Sequence, residues 1–266
     1  MVMTLYPLHT KILVPEDDLT SIIIKEIEEQ NIPSLEDGDI IVITSKAVAS
    51  VEGRILKLND IIPSEEAFRL SQEIELEPEF VELVIRESEK VFGGVYRALL
   101  TLKDNILQAN AGIDKSNVPS GCAVLLPKDP TKSAHNIRNQ IYEKTGHRVG
   151  VIIADSRTQP LRLGNTGFAL AVAGFKPVAD ERGKKDLYGN ILRITRRAVA
   201  DNLACAAEIL MGEGSEQIPV VIIKGAPVEM TEEYVDGSQM IISRGECMYF
   251  GTLFQVTDNS KIQREN

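Results

Sequence analysis

The amino-acid sequence predicts an α+β protein with mixed sheets. The chain has 266 residues, of which 43% are apolar and 26% are charged, so it can bury a substantial core. Short apolar runs typical of buried strands are interspersed with amphipathic stretches typical of helices. Because strands and helices do not follow the strict alternation of a βαβ protein, we do not expect a doubly wound Rossmann sheet.

The first third of the chain contains one strand and three helices. Residues 18–30 place apolar side chains four residues apart on one helical face, behind an acidic start. Residues 39–44 are a short apolar run after a turn signal, which predicts a buried strand. Two further helices are predicted at 65–76 and 79–88, separated around Pro78.

The rest of the chain alternates between short apolar runs and two longer amphipathic stretches. Strands are predicted at 95–102, 106–109, 122–126, 149–154 and 218–223. The first two of these are expected to pair, because only three residues separate them. Helices are predicted at 131–145, where Gly146 ends the periodic pattern, and at 195–211.

Charge and cysteine usage exclude several classes of partner. The formal net charge is −10, which disfavours binding to nucleic acid and to anionic membranes. The three cysteines are far apart and odd in number, so we expect free thiols rather than disulfides or a zinc site. No signal-peptide pattern and no apolar run of about 18 residues is present, so we expect a cytoplasmic protein.

Two polar segments carry candidate metal ligands. In residues 110–117, Asp114 could ligate a metal and Asn117 could donate to a base or sugar; alternatively, Asn110 and Asp114 form turns. Asp155 follows the predicted strand 149–154, and a carboxylate at the carboxyl end of a strand commonly holds a metal beside a phosphate. The alternative role for Asp155 is capping a helix, although no clear helix begins there.

Two further loops carry groups suited to anions. Glu213 lies between two glycines in residues 211–217, and glycines permit close approach of phosphates; alternatively, this is a helix C-cap followed by a surface loop. In residues 157–164, Arg162 could bind a phosphate or carboxylate, or could form a surface ion pair. No Walker A, dinucleotide-binding or kinase motif is present, so the residues alone predict a carboxylate–metal site.

Several of these segments together resemble one enzyme family. The order and spacing of NAGIDKSNV, ADS, PLRLGNTGFA, KKDLYG and MGEG are similar to those of the coenzyme F(420):L-glutamate ligases, or gamma-glutamyl ligases. The segments DGDIIVITSK and SVEGRI also match, and the resemblance extends from about Tyr6 to Ile223.

The resemblance implies both a reaction and an architecture. Family members use GTP to add L-glutamate to the carboxylate of coenzyme F(420)-0 through an acyl phosphate. They are homodimers of two intertwined α+β lobes and use two divalent cations, Mg²⁺ or Mn²⁺, with K⁺ as an additional candidate cation. We therefore expect residues 1–250 to form the catalytic ligase unit and residues 251–266 to form a polar C-terminal tail.

The same resemblance implies roles for individual residues. Asp114 and Asp155 would hold one cation, and Ser156, which replaces the family's usual Thr, would help Glu213 hold the second. Asp155 and Arg162 are the expected catalytic residues. The residues expected to surround the nucleotide are Lys11, Ile12, Leu13, Val14, Ser45, Lys46, Ser50, Asn117, Met211, Gly212, Gly214, Ser215 and Gln217.

Three further positions depart from the family pattern. Ser50 stands where the family commonly has Lys, while Gln159 and Leu161 replace an Arg and an aromatic residue. Two alternatives follow from these changes: a related amide ligase that acts on a different acid, or a nucleotide-binding protein that has lost catalysis.

Overall fold

The computed structural model describes residues 2–253, and these form twelve strands and seven α-helices. The strands are β1 (Thr4–Leu8), β2 (Ile40–Thr44), β3 (Ile55–Lys57), β4 (Lys90–Val95), β5 (Ala98–Lys103), β6 (Ile106–Ala109), β7 (Cys122–Val124), β8 (Gly150–Thr158), β9 (Asn165–Ala173), β10 (Val178–Asp180), β11 (Arg196–Ala198) and β12 (Val220–Lys224). The helices are α1 (Leu19–Glu29), α2 (Ser45–Val51), α3 (Glu65–Ile74), α4 (Pro78–Glu87), α5 (Pro130–Thr145), α6 (Val199–Met211) and α7 (Met248–Leu253).

The largest sheet is mixed. Its strand order is β1-β12-β2-β8-β9, and β2 with β8 is its one parallel pair. The remaining described strands form three small antiparallel sheets: β10-β11, β3-β7 and β4-β5-β6. The predicted α+β class with mixed sheets is therefore confirmed, and the sheet is not a doubly wound one.

Helices cover both faces of this sheet, which explains why its central strands are apolar throughout. Ile41 and Ile43 of β2 belong to a buried cluster with α1 and α5, whereas Ile40 and Val42 belong to a second cluster with α6. A strand with one exposed face alternates apolar and polar residues, whereas a strand buried on both faces is apolar throughout.

A third apolar cluster forms the core of a second lobe. All its fully buried members lie between Leu58 and Leu125, and they come mainly from α3, α4 and the strands beside them. Pairing of β5 with β6 confirms the predicted pair of strands. This cluster is separate from the two that pack on the main sheet, while the division into two lobes and their intertwining in a dimer stay predictions.

The structure differs from the sequence predictions at β8, α6 and β9. Strand β8 continues to Thr158 instead of ending before Asp155. Helix α6 begins at Val199, because Arg196–Ala198 pair with β10 as a strand. Strand β9 was missed, because its run Phe168–Ala173 is rich in Ala and Leu, which favour helix; pairing with β8 and burial override that preference.

The C-terminal prediction is only partly covered by the structure. Residues Gly251–Leu253 of the predicted tail belong to α7, so the helical part extends past the expected boundary. Residues 254–266 lie outside the described part. Within residues 2–253, we find no helix with the length and apolarity needed to cross a membrane.

Candidate functional site

A cavity of about 580 Å³ gathers most of the residues singled out in the sequence. They come from widely separated segments: the stretch after β1, helix α2, the loop after β6, strand β8 and the loop after α6. The predicted residues that line the cavity are Lys11, Ile12, Leu13, Ser45, Lys46, Ser50, Asp114, Asn117, Asp155, Ser156, Met211, Gly212, Glu213, Gly214, Ser215 and Gln217.

Two predicted residues do not line the cavity. Val14 lies just beyond it, and its backbone N–H donates to Asp17 Oδ2 at 2.9 Å. Arg162 is exposed in the connection between β8 and β9, where its N–H donates to the carbonyl of Gln159. Because β8 extends to Thr158, this connection lies beyond the cavity. The lining of the cavity therefore gives no support to the predicted catalytic role of Arg162.

Neighbouring strands of the main sheet bring the first cavity groups together. Thr44, at the end of β2, is in parallel register with Ala154 of β8, so Ser45 and Asp155 follow at the same edge. The N–H of Thr44 also donates to the carbonyl of Pro219, just before β12. Adjacent strand ends therefore deliver hydroxyl, carboxylate and backbone groups to one place.

Asp114 comes from the second lobe and is strongly bound within the cavity wall. Its Oδ2 lies 2.5 Å from Lys46 Nζ and accepts a bond of 2.5 Å from Ser116 Oγ, while its Oδ1 accepts from the N–H of Lys115. Burial raises the pKa of Asp114, but hydrogen bonds from Lys46 and Ser116 outweigh it and hold the pKa below its usual value.

Asp155 has the opposite electrostatic environment. Burial raises its pKa to about 7, and the charge of Asp114 adds to this rise. The N–H of Ser156, the charge of Lys46 and the hydroxyl of Ser45 oppose the rise without cancelling it. The surroundings of the Asp155 carboxylate therefore supply too little positive charge, and a bound cation would supply the rest.

The loop after α6 is tied to the second lobe. Asn117 Nδ2 donates to the carbonyl of Gly214 at 2.9 Å, and Glu216 Oε2 accepts from the Gly214 N–H. Gly212 has a φ of 68°, and a Cβ there would lie 2.4 Å from the Glu216 side chain. A glycine is thus required at 212, and the Asn117 contact fixes the loop against the opposite wall.

Sequence analysis missed one carboxylate in this cavity, Glu208 of α6. Burial and, to a smaller extent, the charge of Glu213 raise the pKa of Glu208 to about 7. Its Oε1 is buried without a hydrogen-bond partner among the described residues. A signal was available: Glu208 occupies the buried stripe between Ala204 and Met211, at helical spacing from both. A charged residue on an apolar stripe indicates a functional environment.

The cavity can accept divalent cations, but only together with a ligand. No three His, Cys, Asp or Glu side chains within residues 2–253 are close enough to hold a metal by themselves. Asp114, Asp155, Ser156 and Glu213 nevertheless present oxygen atoms to one space, and the unpartnered Glu208 oxygen adds another. Mg²⁺ commonly binds one or two carboxylates and completes its shell with phosphate and water. The oxygen donors fit this type of site.

Comparison of the sequence with known proteins finds one family. A family model described as F420-0:Gamma-glutamyl ligase matches residues 7–225. A coenzyme F420:L-glutamate ligase of Methanothermobacter thermautotrophicus is 42% identical, over 79% of this chain and 84% of the relative. The protein of the same description from Archaeoglobus fulgidus is 39% identical, over 90% of this chain and 96% of the relative.

Proposed function

Because the chain belongs to the F420-0:gamma-glutamyl ligase family, we propose that it uses GTP to join L-glutamate to the carboxylate of coenzyme F420-0. The observation that carries this proposal is the convergence of Asp114, Asp155 and Glu213 on one cavity. These residues come from three distant segments of the chain, and few arrangements other than a polyanion-binding site explain their proximity. The volume of about 580 Å³ is in the range of small-molecule sites.

The triphosphate is assigned to the carboxylate-lined part of the cavity. Lys46 supplies a cation there, and the Gly212–Gly214 stretch permits close approach of phosphate oxygens to the backbone. Apolar side chains of Ile12, Leu13 and Met211 line the same cavity and suit the base and sugar. Asn117 lies at the junction of the two lobes, where it can also contact the nucleoside.

Divalent cations are assigned to the oxygen donors. Asp114 and Asp155 would hold one Mg²⁺ or Mn²⁺, and Ser156 with Glu213 would help hold a second; K⁺ at this site stays a prediction. When bound, the cations neutralise phosphate oxygens and stabilise the charge of phosphoryl transfer. The raised pKa of Asp155 supports this assignment, because it indicates missing positive charge.

The proposed reaction has two steps. A carboxylate oxygen of the acceptor attacks the γ-phosphorus of GTP, which forms an acyl phosphate and releases GDP. The α-amino group of L-glutamate, after losing a proton from its ammonium form, then attacks the acyl carbon and releases inorganic phosphate. The cavity contributes by orienting the reactants and by limiting water, because an acyl phosphate hydrolyses when water reaches it.

A homodimer forms part of the proposal. Leu161 and Leu163 in the β8–β9 connection and Leu187 between β10 and β11 are fully exposed in the single chain. Exposed apolar side chains of this size, gathered on two projecting connections, are typical of surfaces that a partner subunit covers. Gln159 and Leu161, which depart from the family pattern, lie in one of these connections and not in the nucleotide cavity.

The decisive experiment is a complete reaction with purified protein. Incubation with GTP, Mn²⁺, L-glutamate and F420-0 is expected to yield GDP, phosphate and an acceptor heavier by one glutamyl residue, detected by mass spectrometry. Omission of either the acceptor or glutamate is the control. GTP binding without product from any of these substrates would overturn the proposal and favour a protein that has lost catalysis, for which Ser50 in the cavity is the motive.

A further inference from the structure

A second cavity, of about 440 Å³, lies next to the first along the β8–β9 pair. Asp155 and Gly167 line the first cavity, whereas Arg157 and Phe168 line the second. Asp155 and Arg157 are two residues apart on one strand, which corresponds to about 6.6 Å along the chain. A ligand that extends from the second cavity along β8 would approach the groups of the first.

Arg157 has unused hydrogen-bonding capacity in this cavity. Its Nε is buried and has no partner among the described residues. The guanidinium carbon lies 4.8 Å from the centre of the Phe168 ring, which holds the side chain in place. Its one ion pair, with Asp201, has a separation of 3.9 Å, too long for a direct hydrogen bond. A buried N–H group without a partner is rare unless a ligand completes the site.

Gln108 provides an independent second observation. Its side chain is 6% exposed, lines the same cavity and makes no hydrogen bond within the described part of the chain. Its backbone carbonyl accepts a 2.8 Å hydrogen bond from Thr101 Oγ1. The strand pair β5–β6 thus holds a buried amide that can donate and accept bonds in the cavity.

The charges around the cavity favour a zwitterion over a polyanion. Arg157 and Lys128 are cations with free donor capacity and Lys103 is a third cation, paired with Glu87, while Asp104, Asp129 and Asp201 supply negative charge. A phosphodiester or polyphosphate would meet these three carboxylates unfavourably. An amino acid presents both signs of charge, and glutamate adds a second carboxylate.

On the basis of the proposed function, we infer that the second cavity binds the amino-acid substrate, L-glutamate, with Arg157 and Gln108 binding its carboxylates. This placement leaves the amino group directed towards the cavity of Asp155, where the activated acceptor would be formed. The inference assigns a binding role to two residues that the family resemblance did not single out.

The test separates the three substrates by their KM values. Arg157→Met and Gln108→Leu are each expected to raise the KM for L-glutamate roughly 10-fold or more, because each removes hydrogen bonds to a charged group. The KM values for GTP and F420-0 should change by less than about twofold. Arg69→Met and Gln72→Leu, on the exposed face of α3, are the matched controls.

The preference between L-glutamate and L-glutamine is a second measurement, and it reports substrate recognition rather than loss of folding. Arg157→Met is expected to reduce the preference for L-glutamate over L-glutamine, since the neutral amide lacks one carboxylate. Arg157→Lys, which keeps the charge, should retain part of that preference. If these substitutions instead raise the KM for F420-0, or leave all three constants unchanged, the inference is overturned.

Direct binding distinguishes failure of this inference from failure of the proposed reaction. Saturation-transfer NMR with L-glutamate alone, on the protein loaded with GDP and Mg²⁺, is expected to give a signal that Gln108→Leu and Arg157→Lys weaken. That outcome supports the second cavity even if no ligation is detected. A signal equal in wild type and both variants would exclude this site, whatever the turnover; melting temperatures establish that each variant is folded.

Discussion

Lys46 Nζ lies 2.5 Å from Asp114 Oδ2, and this ion pair joins the helix after β2 to the second lobe across the proposed nucleotide cavity. The same ammonium donates to Ser116 Oγ at 2.6 Å. Lys46 therefore holds Asp114, a proposed cation ligand, in place, and its ammonium group remains available to bind phosphate.

Replacement of this lysine is expected to weaken nucleotide binding. Lys46→Met removes a charge-assisted contact of about 1.5–3 kcal/mol, so the Kd for GTP in the presence of Mn²⁺ should rise roughly 10- to 100-fold in calorimetric titrations. Lys25→Met is the control, because Lys25 pairs with Glu29 on the exposed side of α1. An unchanged Kd for Lys46→Met would remove this residue from the nucleotide site.

Asp155→Asn should separate catalysis from stability. As burial raises the Asp155 pKa to about 7, its charge opposes folding increasingly as pH rises from about 4 through 7. The Asn variant without metal should therefore melt at or above the wild-type temperature at pH 8. Its turnover with Mn²⁺ should fall by at least about 100-fold, because a ligand worth several kcal/mol is lost. Wild-type turnover in this variant would contradict the proposed cation site.

Candidate site residues were easier to single out from the sequence than the strand topology, for a physical reason. Loop residues such as Asp114 and Glu213 stand out because polar loops at the ends of strands and helices are where reactive groups are usually displayed. Strand β9 did not stand out, since its pairing with β8 depends on contacts distant in sequence. Arg162 was misplaced for a related reason: the length of β8 decides where the following loop lies, and apolar periodicity cannot reveal a strand that continues through polar residues.

Asp18 offers a test of pH-dependent stability away from the site. Its Oδ1 caps α1 by accepting from the N–H of Ser21, and its Oδ2 lies 2.6 Å from Lys144 Nζ of α5. The Lys144 hydrogen bond, followed by that of Ser21, holds the Asp18 pKa well below its usual range. A lowered pKa stabilises the folded state above the unfolded value, near 4, and this stabilisation disappears as pH falls through the folded value.

Asp18→Ala should therefore lower the free energy of unfolding by about 1 kcal/mol at pH 7. The difference from wild type should shrink progressively below pH 4, measured by urea denaturation. Asp60→Ala, at an exposed aspartate, serves as the control. A difference that stays constant from pH 7 to pH 3 would mean that the charge of Asp18 does not contribute.

Gly167 is required by close packing beneath the nucleotide cavity. A Cβ at this position would lie 2.7 Å from the backbone carbonyl carbon and oxygen of Ala204, so α6 would have to move. Gly167→Ala is expected to destabilise the fold by about 1–3 kcal/mol and to weaken GTP binding, because α6 carries the Met211–Gly214 loop. In Gly237→Ala, the new Cβ would meet its nearest neighbour at 3.8 Å, so this control should unfold like wild type.

The proposed dimer can be tested at Leu187, which is fully exposed between β10 and β11. If a partner subunit covers this side chain, Leu187→Asp would bury a charge in the interface, at a cost large enough to shift the monomer–dimer equilibrium. Light scattering after gel filtration should then give a lower mass for the variant than for wild type at equal concentration. Ile62→Asp, at an exposed residue before α3, should leave the mass unchanged. A wild-type protein that elutes as a monomer would contradict the dimer, and equal masses for wild type and Leu187→Asp would place the interface elsewhere.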